Sequence, residues 1–115
     1  MEKSIILDTN FLIYCAEYKI DFFTEIERLC DFPYKLYILS RSIEELELLK
    51  PKKLNIIKLF LKKIDVIQSK IHYVDDELAE LSENAIIATQ DKILKKRLKG
   101  KIIVIRQKKY LEMKC

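Results

Sequence analysis

The sequence has few of the residues on which several common functional sites depend. Its 115 residues include one glycine, Gly100, and one histidine, His72. A single glycine excludes the glycine-rich loops that bind phosphates in nucleotide-binding proteins. A single histidine excludes the HExxH zinc helix and any site built on a pair of histidines. Charged residues make up 35% of the chain, so carboxylates and lysines are its main chemical resource.

Cysteine is also scarce, and no long apolar run is present. Cys15, Cys30 and Cys115 form no CxxC pair and cannot all pair with one another, which favours reduced thiols. We expect Cys15 and Cys30 to lie in the core. No apolar run reaches the roughly 20 residues of a membrane span, and charges follow Met1 at once, unlike in a signal peptide. These features predict a cytoplasmic protein with no membrane partner.

The charge of the chain is unevenly distributed. The net charge is +4, but ten basic residues and one acid, Glu112, give residues 92–115 a charge of +9. Residues 1–49 carry five basic and ten acidic residues, a charge of −5. A basic segment of this kind indicates a polyanionic partner such as nucleic acid or a lipid surface. A lysine-rich helix face that is simply solvated remains the alternative.

Alternating apolar runs and amphipathic segments predict a single α/β domain. Strands are predicted at residues 4–7, 35–39, 71–74, 85–89 and 101–106, with helices between them. Ser42 and Glu45 have the spacing of a capping box at the start of one helix. The strands are apolar on both faces, which indicates a parallel sheet covered by helices on both sides. Such sheets place their ligand site beyond the carboxyl ends of the strands.

Four acids are expected at that edge of the sheet: Asp8, Glu45, Asp75 and Asp91. Each has a structural alternative, because Asp75 and Asp91 have the position of helix N-caps, Glu45 could belong to the capping box, and Asp8 could be a turn residue. Together, like charges without a counter-ion raise one another's pKa, which a bound divalent cation would relieve. Oxygen ligands from separate loops suit Mg²⁺ or Mn²⁺.

A carboxylate-held Mg²⁺ or Mn²⁺ is typical of phosphodiester hydrolysis, because the metal activates water and neutralises the phosphate. A haloacid-type phosphatase would need an aspartate two residues after Asp8, where Asn10 stands. His72 lies beside the acid pair Asp75–Asp76, and we expect it to be structural or to face solvent.

Four segments resemble the PIN domain family: ILDTNFLI (6–13), SRSIEEL (40–46), VDDELAELS (74–82) and ATQDKILKKRL (88–98). They cover nearly the whole chain in the order and spacing of the family. The C-terminal IIVIRQKKYLE resembles its archaeal branch, which is similar to VapC-type toxins and to small-subunit rRNA-processing endonucleases. The resemblance implies a metal-dependent endoribonuclease with a three-layer α/β/α sandwich and a five-stranded parallel sheet. The PIN-like nuclease domain would span residues 1–106, and a basic C-terminal tail residues 107–115.

The resemblance also implies roles for individual residues. By motif position, the catalytic and metal-binding residues are Asp8, Glu45, Asp75 and Asp91. The supporting polar residues are Thr9, Asn10, Ser40, Asp76 and Thr89, with Asp76 an alternative to Asp75 as the inner ligand. Ser82 stands where the family helix often has alanine, and there is no appended zinc ribbon.

The expected substrate is RNA, held by the basic C-terminal segment, with Tyr110 either stacking on a base or simply packing. The expected nucleic-acid contacts are Lys95, Lys96, Arg97, Arg106, Lys108, Lys109 and Tyr110. The alternatives are a non-cleaving RNA-binding or assembly module and, less favoured, a DNA nuclease. Expected protein partners are an antitoxin or a ribosome-assembly factor. A homodimer through residues 11–18 and 22–23 is also open, although those residues suit the core equally well.

Overall fold

The computed structural model describes residues 2–115, in which helices cover both faces of one sheet. The strands are β1 (Lys3–Leu7), β2 (Tyr34–Leu39), β3 (Asp65–Ile67), β4 (Ile86–Ala88), β5 (Ile102–Arg106) and β6 (Tyr110–Lys114). The helices are α1 (Thr9–Glu17), α2 (Phe22–Leu29), α3 (Ser40–Leu49), α4 (Leu54–Leu61), α5 (Val74–Leu81) and α6 (Lys92–Lys95). The predicted α/β class is confirmed.

The strand order in the sheet is β3-β2-β1-β4-β5-β6. Every neighbouring pair is parallel except β5 and β6, which are antiparallel. The prediction of five strands was therefore wrong by one, because residues 110–114 of the expected tail form β6. The chain reverses between β5 and β6 through Gln107 and Lys108, both with positive φ, at 53° and 56°.

The strands are apolar on both faces because each face packs against its own helices. Along β1, Ile5 belongs to the larger core cluster, which includes Phe11 of α1. Ile6, one residue later, belongs to the second cluster with Leu78 of α5 and Leu94 of α6. Successive strand residues point to opposite faces, so this alternation produces the expected three layers.

The third strand lies earlier in the chain than the sequence predicted. Strand β3 spans Asp65–Ile67, and its three residues pair with β2. Residues 71–73 lie in the loop before α5, and Val74 begins that helix. The apolar residues at 71 and 74 misled the prediction, since Val74 is buried in the second core cluster as a helix residue. Asp75 consequently lies in the first turn of α5 and not directly after a strand.

The predicted capping box does not form. Helix α3 begins at Ser40 with Leu39 as its N-cap residue, so Ser42 lies inside the first turn. Its buried hydroxyl oxygen has no hydrogen-bond partner among residues 2–115. Glu45 is consequently not used in capping this helix.

The apolar residues considered for a dimer surface are mostly core residues. Phe11 and Phe22 are completely buried, and so is Cys15, as predicted for that thiol. Cys30 is only partly buried but packs against the same core. Within residues 2–115, no helix has the length and apolarity needed to span a bilayer.

Candidate functional site

Asp8 is the buried centre of the site. It follows β1, is 5% exposed, and is the N-cap residue of α1. Its Oδ1 accepts a hydrogen bond from the backbone N–H of Thr9 at 2.8 Å, and its Oδ2 accepts one from the hydroxyl of Thr89 at 2.7 Å. Burial raises the pKa of Asp8 from 3.8 to about 6. The charges of Asp75 and Glu45 contribute to this increase, and the two hydrogen bonds oppose it.

Glu45 is connected to Asp8 through Thr9. The hydroxyl of Thr9 donates a hydrogen bond to Oε1 of Glu45 at 2.8 Å. Thr9 begins α1 and Glu45 lies in the second turn of α3, so this bond joins the crossovers that follow β1 and β2. Within the described chain, no hydrogen bond reaches Oε2 of Glu45, which leaves that oxygen free to bind a ligand.

Thr89 connects Asp8 to Asp91 at the end of β4. Its hydroxyl oxygen accepts a hydrogen bond from the backbone N–H of Asp91 at 3.1 Å while its proton is donated to Asp8. Asp91 is the N-cap residue of α6, and its Oδ1 accepts hydrogen bonds from the N–H groups of Ile93 and Leu94. The sequence interpretation of Asp91 as an N-cap is correct, yet only one of its two carboxylate oxygens is used for this purpose.

The acid pair Asp75–Asp76 divides between two environments. Oδ1 of Asp76 forms an ion pair with the guanidinium of Arg97 at 2.7 Å. Burial raises the pKa of Asp75, and the charge of Asp91 raises it further against the opposing effect of Arg97. Asp75 is therefore electrostatically coupled to the other site acids, whereas Asp76 is neutralised by a base.

An open cleft of about 370 Å³ lies beside these acids. It is lined by Glu45, Tyr73, Val74, Asp75, Asp76 and Arg97. Among residues 2–115, no group of three or more histidine, cysteine or acidic side chains converges closely enough to hold a metal ion by itself. The donors present are carboxylate oxygens, which fit a hard cation such as Mg²⁺ that keeps several of its waters and needs few protein ligands.

The remaining predicted supporting residues do not all contact the acids. Ser40 accepts a hydrogen bond at its Oγ from the backbone N–H of Ser69 at 2.9 Å, so it holds the loop after β3. Asn10 is exposed in the first turn of α1. Of the five, only Thr9 and Thr89 donate hydrogen bonds to the predicted ligands.

The predicted nucleic-acid contacts occupy several surfaces. Arg97 lines the cleft. Burial lowers the pKa of Lys95, and the nearby Arg106 lowers it further. The Nζ atom of Lys108 instead lies 5.5 Å from the ring centre of Tyr18, just beyond α1. Lys96 and Lys109 are exposed. Tyr110 of β6 lies opposite Arg106 of β5 in the antiparallel strand pair.

Sequence reasoning missed Glu77, a buried carboxylate in the first turn of α5. Glu77 is 5% exposed, and its Oε2 accepts a hydrogen bond from the backbone N–H of Lys70 at 2.9 Å. Its Oε1 is buried without a hydrogen-bond partner among residues 2–115. The misplaced third strand concealed this role, because residue 70 was not expected to lie in a loop beside α5.

Gln90 was also missed. Its Oε1 accepts a hydrogen bond from the backbone N–H of Ile105 at 2.6 Å, which extends the pairing of β4 and β5 beyond Ala88. This bond fixes the carboxyl end of β5 beside Thr89 and Asp91. A polar residue between two site residues gives no sequence signal for such a contact.

The sequence matches the model of a family described as a PIN like domain over residues 5–108. It is 39% identical to Ribonuclease VapC4 of Methanocaldococcus jannaschii, covering 95% of each chain. Its structure is similar to that of the PIN domain endonuclease Utp24, with a TM-score of 0.78 and 24% identity over 96% of this chain and 90% of that one. VapBC2 from Rickettsia felis, solved with a DNA fragment from its promoter, gives a TM-score of 0.60 and 21% identity over 90% and 99%. At these identities, the two structural likenesses show the fold alone.

Proposed function

Because this chain belongs to the PIN-like domain family, as its motifs indicated, we propose that it is a divalent-metal-dependent endoribonuclease that hydrolyses phosphodiester bonds of RNA. The observation that carries the proposal is the group of acids at the carboxyl edge of the sheet. The pKa of Asp8 is raised to about 6, chiefly by burial and also by neighbouring carboxylates. A nuclease with a cationic cofactor accounts for this arrangement, and the relationship to Ribonuclease VapC4 supports RNA as the substrate.

We propose that the ion is Mg²⁺ or Mn²⁺ and that Asp8, Glu45, Asp75 and Asp91 hold it, in part through the waters that such an ion keeps. When bound, such an ion lowers the pKa of water and neutralises charge on the phosphate. Oxygen donors favour these hard cations over zinc. Asp76 is less suited as the inner ligand, because its carboxylate already pairs with Arg97.

The role of the protein in this reaction is to hold its carboxylates in fixed orientations. The hydroxyl of Thr89 and the N–H of Thr9 orient Asp8, and the hydroxyl of Thr9 orients Glu45. All of these donors are neutral, so they fix the carboxylates without cancelling their negative charge. Asp91 keeps its orientation through its role as an N-cap. These acids are therefore preorganised for a cation and for water attack at phosphorus.

We further propose that the basic residues of the C-terminal segment bind the RNA backbone. The set is the one expected from the sequence: Lys95, Lys96, Arg97, Arg106, Lys108 and Lys109, with Tyr110 beside them. Arg97 is the member with the best support, because it lines the same cleft as Glu45 and Asp75. Arg106 is partly neutralised by Glu112, since its Nε lies 3.3 Å from Oε1 of that residue.

The main alternative is a non-cleaving RNA-binding or assembly module with the same fold. Four intact carboxylates argue against it, because a site without catalysis has no need to keep neighbouring acids that lack a basic partner. A DNA nuclease is a weaker alternative. A protein partner, either an antitoxin or a ribosome-assembly factor, and a homodimer also remain proposals, which co-purification and light scattering at two concentrations would test.

The proposal is tested by incubating the protein with end-labelled single-stranded RNA and MnCl₂, MgCl₂ or EDTA. We expect cleavage with either metal, none in EDTA, and a loss of at least about 100-fold in Asp8→Asn, since even residues outside the ligand shell cost 10- to 100-fold in metalloenzymes. Asp21→Asn is the matched control, because Asp21 is also an N-cap residue but of α2, where asparagine caps equally well.

Two results would overturn the proposed function. The first is an Asp8→Asn protein that cleaves RNA as fast as the wild type. The second is a wild-type protein that binds RNA but neither cleaves it nor binds Mn²⁺ at millimolar concentration, which would favour the non-cleaving module. A DNA strand of the same sequence, tested in parallel, separates a ribonuclease from a DNA nuclease.

A further inference from the structure

An exposed tyrosine lies at the rim of the acidic cleft. Tyr73 lines the cleft together with Glu45 and Asp75, and it is 65% exposed. It is the N-cap residue of α5, two residues before Asp75. The ring of His72 packs edge-on against it, with 4.7 Å between the ring centres and an interplanar angle of 78°. This contact leaves most of Tyr73 accessible to solvent.

Hydrogen bonds hold the loop that carries this aromatic pair. Ser69 donates its backbone N–H to Oγ of Ser40, and its own Oγ accepts the N–H of Arg41 at 3.0 Å. The buried Glu77 then accepts the N–H of Lys70, and its backbone N–H donates to the carbonyl of Tyr73 at 3.2 Å. A surface fixed before binding loses less conformational entropy when a ligand arrives.

The cleft combines three kinds of group that suit one class of ligand. Tyr73 offers an aromatic ring, Arg97 offers a guanidinium, and Glu45 of α3 and Asp75 of α5 offer carboxylates. Unpaired nucleotides present base faces that stack on aromatic side chains and phosphates that pair with arginine. Bases in a duplex are already stacked on one another and are not available in this way.

We propose that Tyr73, supported by His72, is the platform on which one unpaired base of single-stranded RNA stacks beside the phosphate to be cleaved. This inference rests on the proposed function and assigns the contact with an unpaired base to one residue. It also transfers to Tyr73 the stacking role considered for Tyr110. Tyr110 is only 37% exposed, lies on the outermost strand β6, and does not line the cleft.

The test is binding of a labelled ten-nucleotide single-stranded RNA in EDTA, measured by fluorescence anisotropy with wild type, Tyr73→Ala and Tyr73→Phe. We expect the alanine variant to bind about 5- to 100-fold more weakly, the range for losing one base–aromatic stack. Tyr73→Phe keeps the ring and should bind like the wild type. Tyr14→Ala is the matched control, because Tyr14 is a partly exposed tyrosine of α1 that stacks on Tyr18.

A fully paired RNA of the same length separates stacking from loss of general affinity, because Tyr73→Ala should leave its binding unchanged. The inference is overturned if the wild type does not bind the single strand, if Tyr73→Ala binds it as tightly, or if both RNAs lose affinity equally. Cleavage in Mn²⁺ is scored separately. Binding that depends on Tyr73 without any cleavage would contradict the proposed function alone. Cleavage by a Tyr73→Ala protein whose affinity is unchanged would contradict only the stacking role of Tyr73.

Discussion

The two edges of the sheet hold their carboxylates in opposite ways. At the amino edge, where β4 and β5 begin, Glu83 forms an ion pair with Nζ of Lys99 at 2.9 Å, and this lysine lowers the pKa of Glu83. At the carboxyl edge, burial raises the pKa of both Asp8 and Asp75. Across residues 2–115, every ion pair lies outside the four site acids.

The difference lies in the donors that surround each carboxylate. Lys99 neutralises Glu83, whereas the threonine hydroxyls and backbone N–H groups around Asp8 only orient it. Orientation without neutralisation leaves a negative potential at one edge and makes the metal-free protein less stable at neutral pH. The carboxylate at the amino edge is therefore neutralised, whereas those at the carboxyl edge keep the charge on which the proposed cation site depends.

The strongest test of this contrast compares neighbouring acids of α5. Asp75→Asn should reduce RNA cleavage at least about 100-fold, because it removes a proposed ligand, whereas removal of an outer group costs 10- to 100-fold. Asp76→Asn should reduce it less than about tenfold, because Asp76 is already paired with Arg97. Initial rates on labelled RNA at several Mn²⁺ concentrations provide the measurement.

A reversed order, with Asp76→Asn the more damaging change, would make Asp76 the inner ligand and Asp75 the helix-terminus acid. Equal losses would mean that the ion pair to Arg97 matters as much as ligation. Circular dichroism of both variants checks that the helix is retained.

The second test asks how much the buried Asp8 carboxylate destabilises the metal-free protein, by comparing wild type with Asp8→Asn. An unfolded aspartate ionises near pH 3.8, whereas folded Asp8 ionises near pH 6. The folded state therefore holds the proton more tightly, and its stability falls as the pH rises from about 4 to about 6. The cost corresponds to about 3 kcal/mol above that range. The difference in the free energy of unfolding between Asp8→Asn and wild type should therefore shift by about 3 kcal/mol in favour of the variant between pH 4 and pH 7.5. Urea denaturation in EDTA at several pH values measures this difference.

Asp21→Asn provides a control of opposite sign. A hydrogen bond from the hydroxyl of Thr24 lowers the pKa of Asp21, so its ionised form stabilises the fold above the unfolded pKa. That contribution is lost as the pH falls through the folded pKa. Asp21→Asn should therefore lose a little stability relative to wild type as the pH rises. A flat pH dependence for Asp8→Asn would contradict the raised pKa of Asp8.

The smallest effect is expected at the amino edge. Glu83→Gln breaks an ion pair between two exposed side chains, which contributes little to stability. Cleavage should stay within about twofold of wild type, as for surface changes remote from a site. A large loss of cleavage in Glu83→Gln would show that carboxylates at the two edges are not functionally distinct.

Asp8 and Asp91 could be placed from the sequence because each follows an apolar run that does form a buried parallel strand. The supporting residues Thr9 and Thr89 were predicted together with them, because the same motifs span the strand ends. Glu45 was expected at the same edge because it lies one turn into the helix that follows the second strand. Its spacing from Ser42 has a plausible capping interpretation, and its actual partner Thr9 lies 36 residues away, a contact that depends on tertiary packing.

Asp75 and the last strand show what the sequence could not supply. The apolar residues before Asp75 resemble a strand but belong to a loop and a helix start, whereas the third strand is the three-residue β3 at Asp65–Ile67. Strand β6 was missed because its turn contains Gln107 and Lys108, both at positive φ without glycine or asparagine. Along β6 only Leu111 is fully buried, so the alternation is weak.

The two outermost strands bear on how copies of this protein can meet. An exposed strand edge is a template for adding a strand from another molecule unless it is short or charged. At one side of the sheet β3 has three residues, and Asp65 in it pairs with Lys35 of β2. At the other side β6 carries Glu112 and Lys114. Both borders thus discourage growth of the sheet from molecule to molecule, which favours the helical layers as the surface for any self-association.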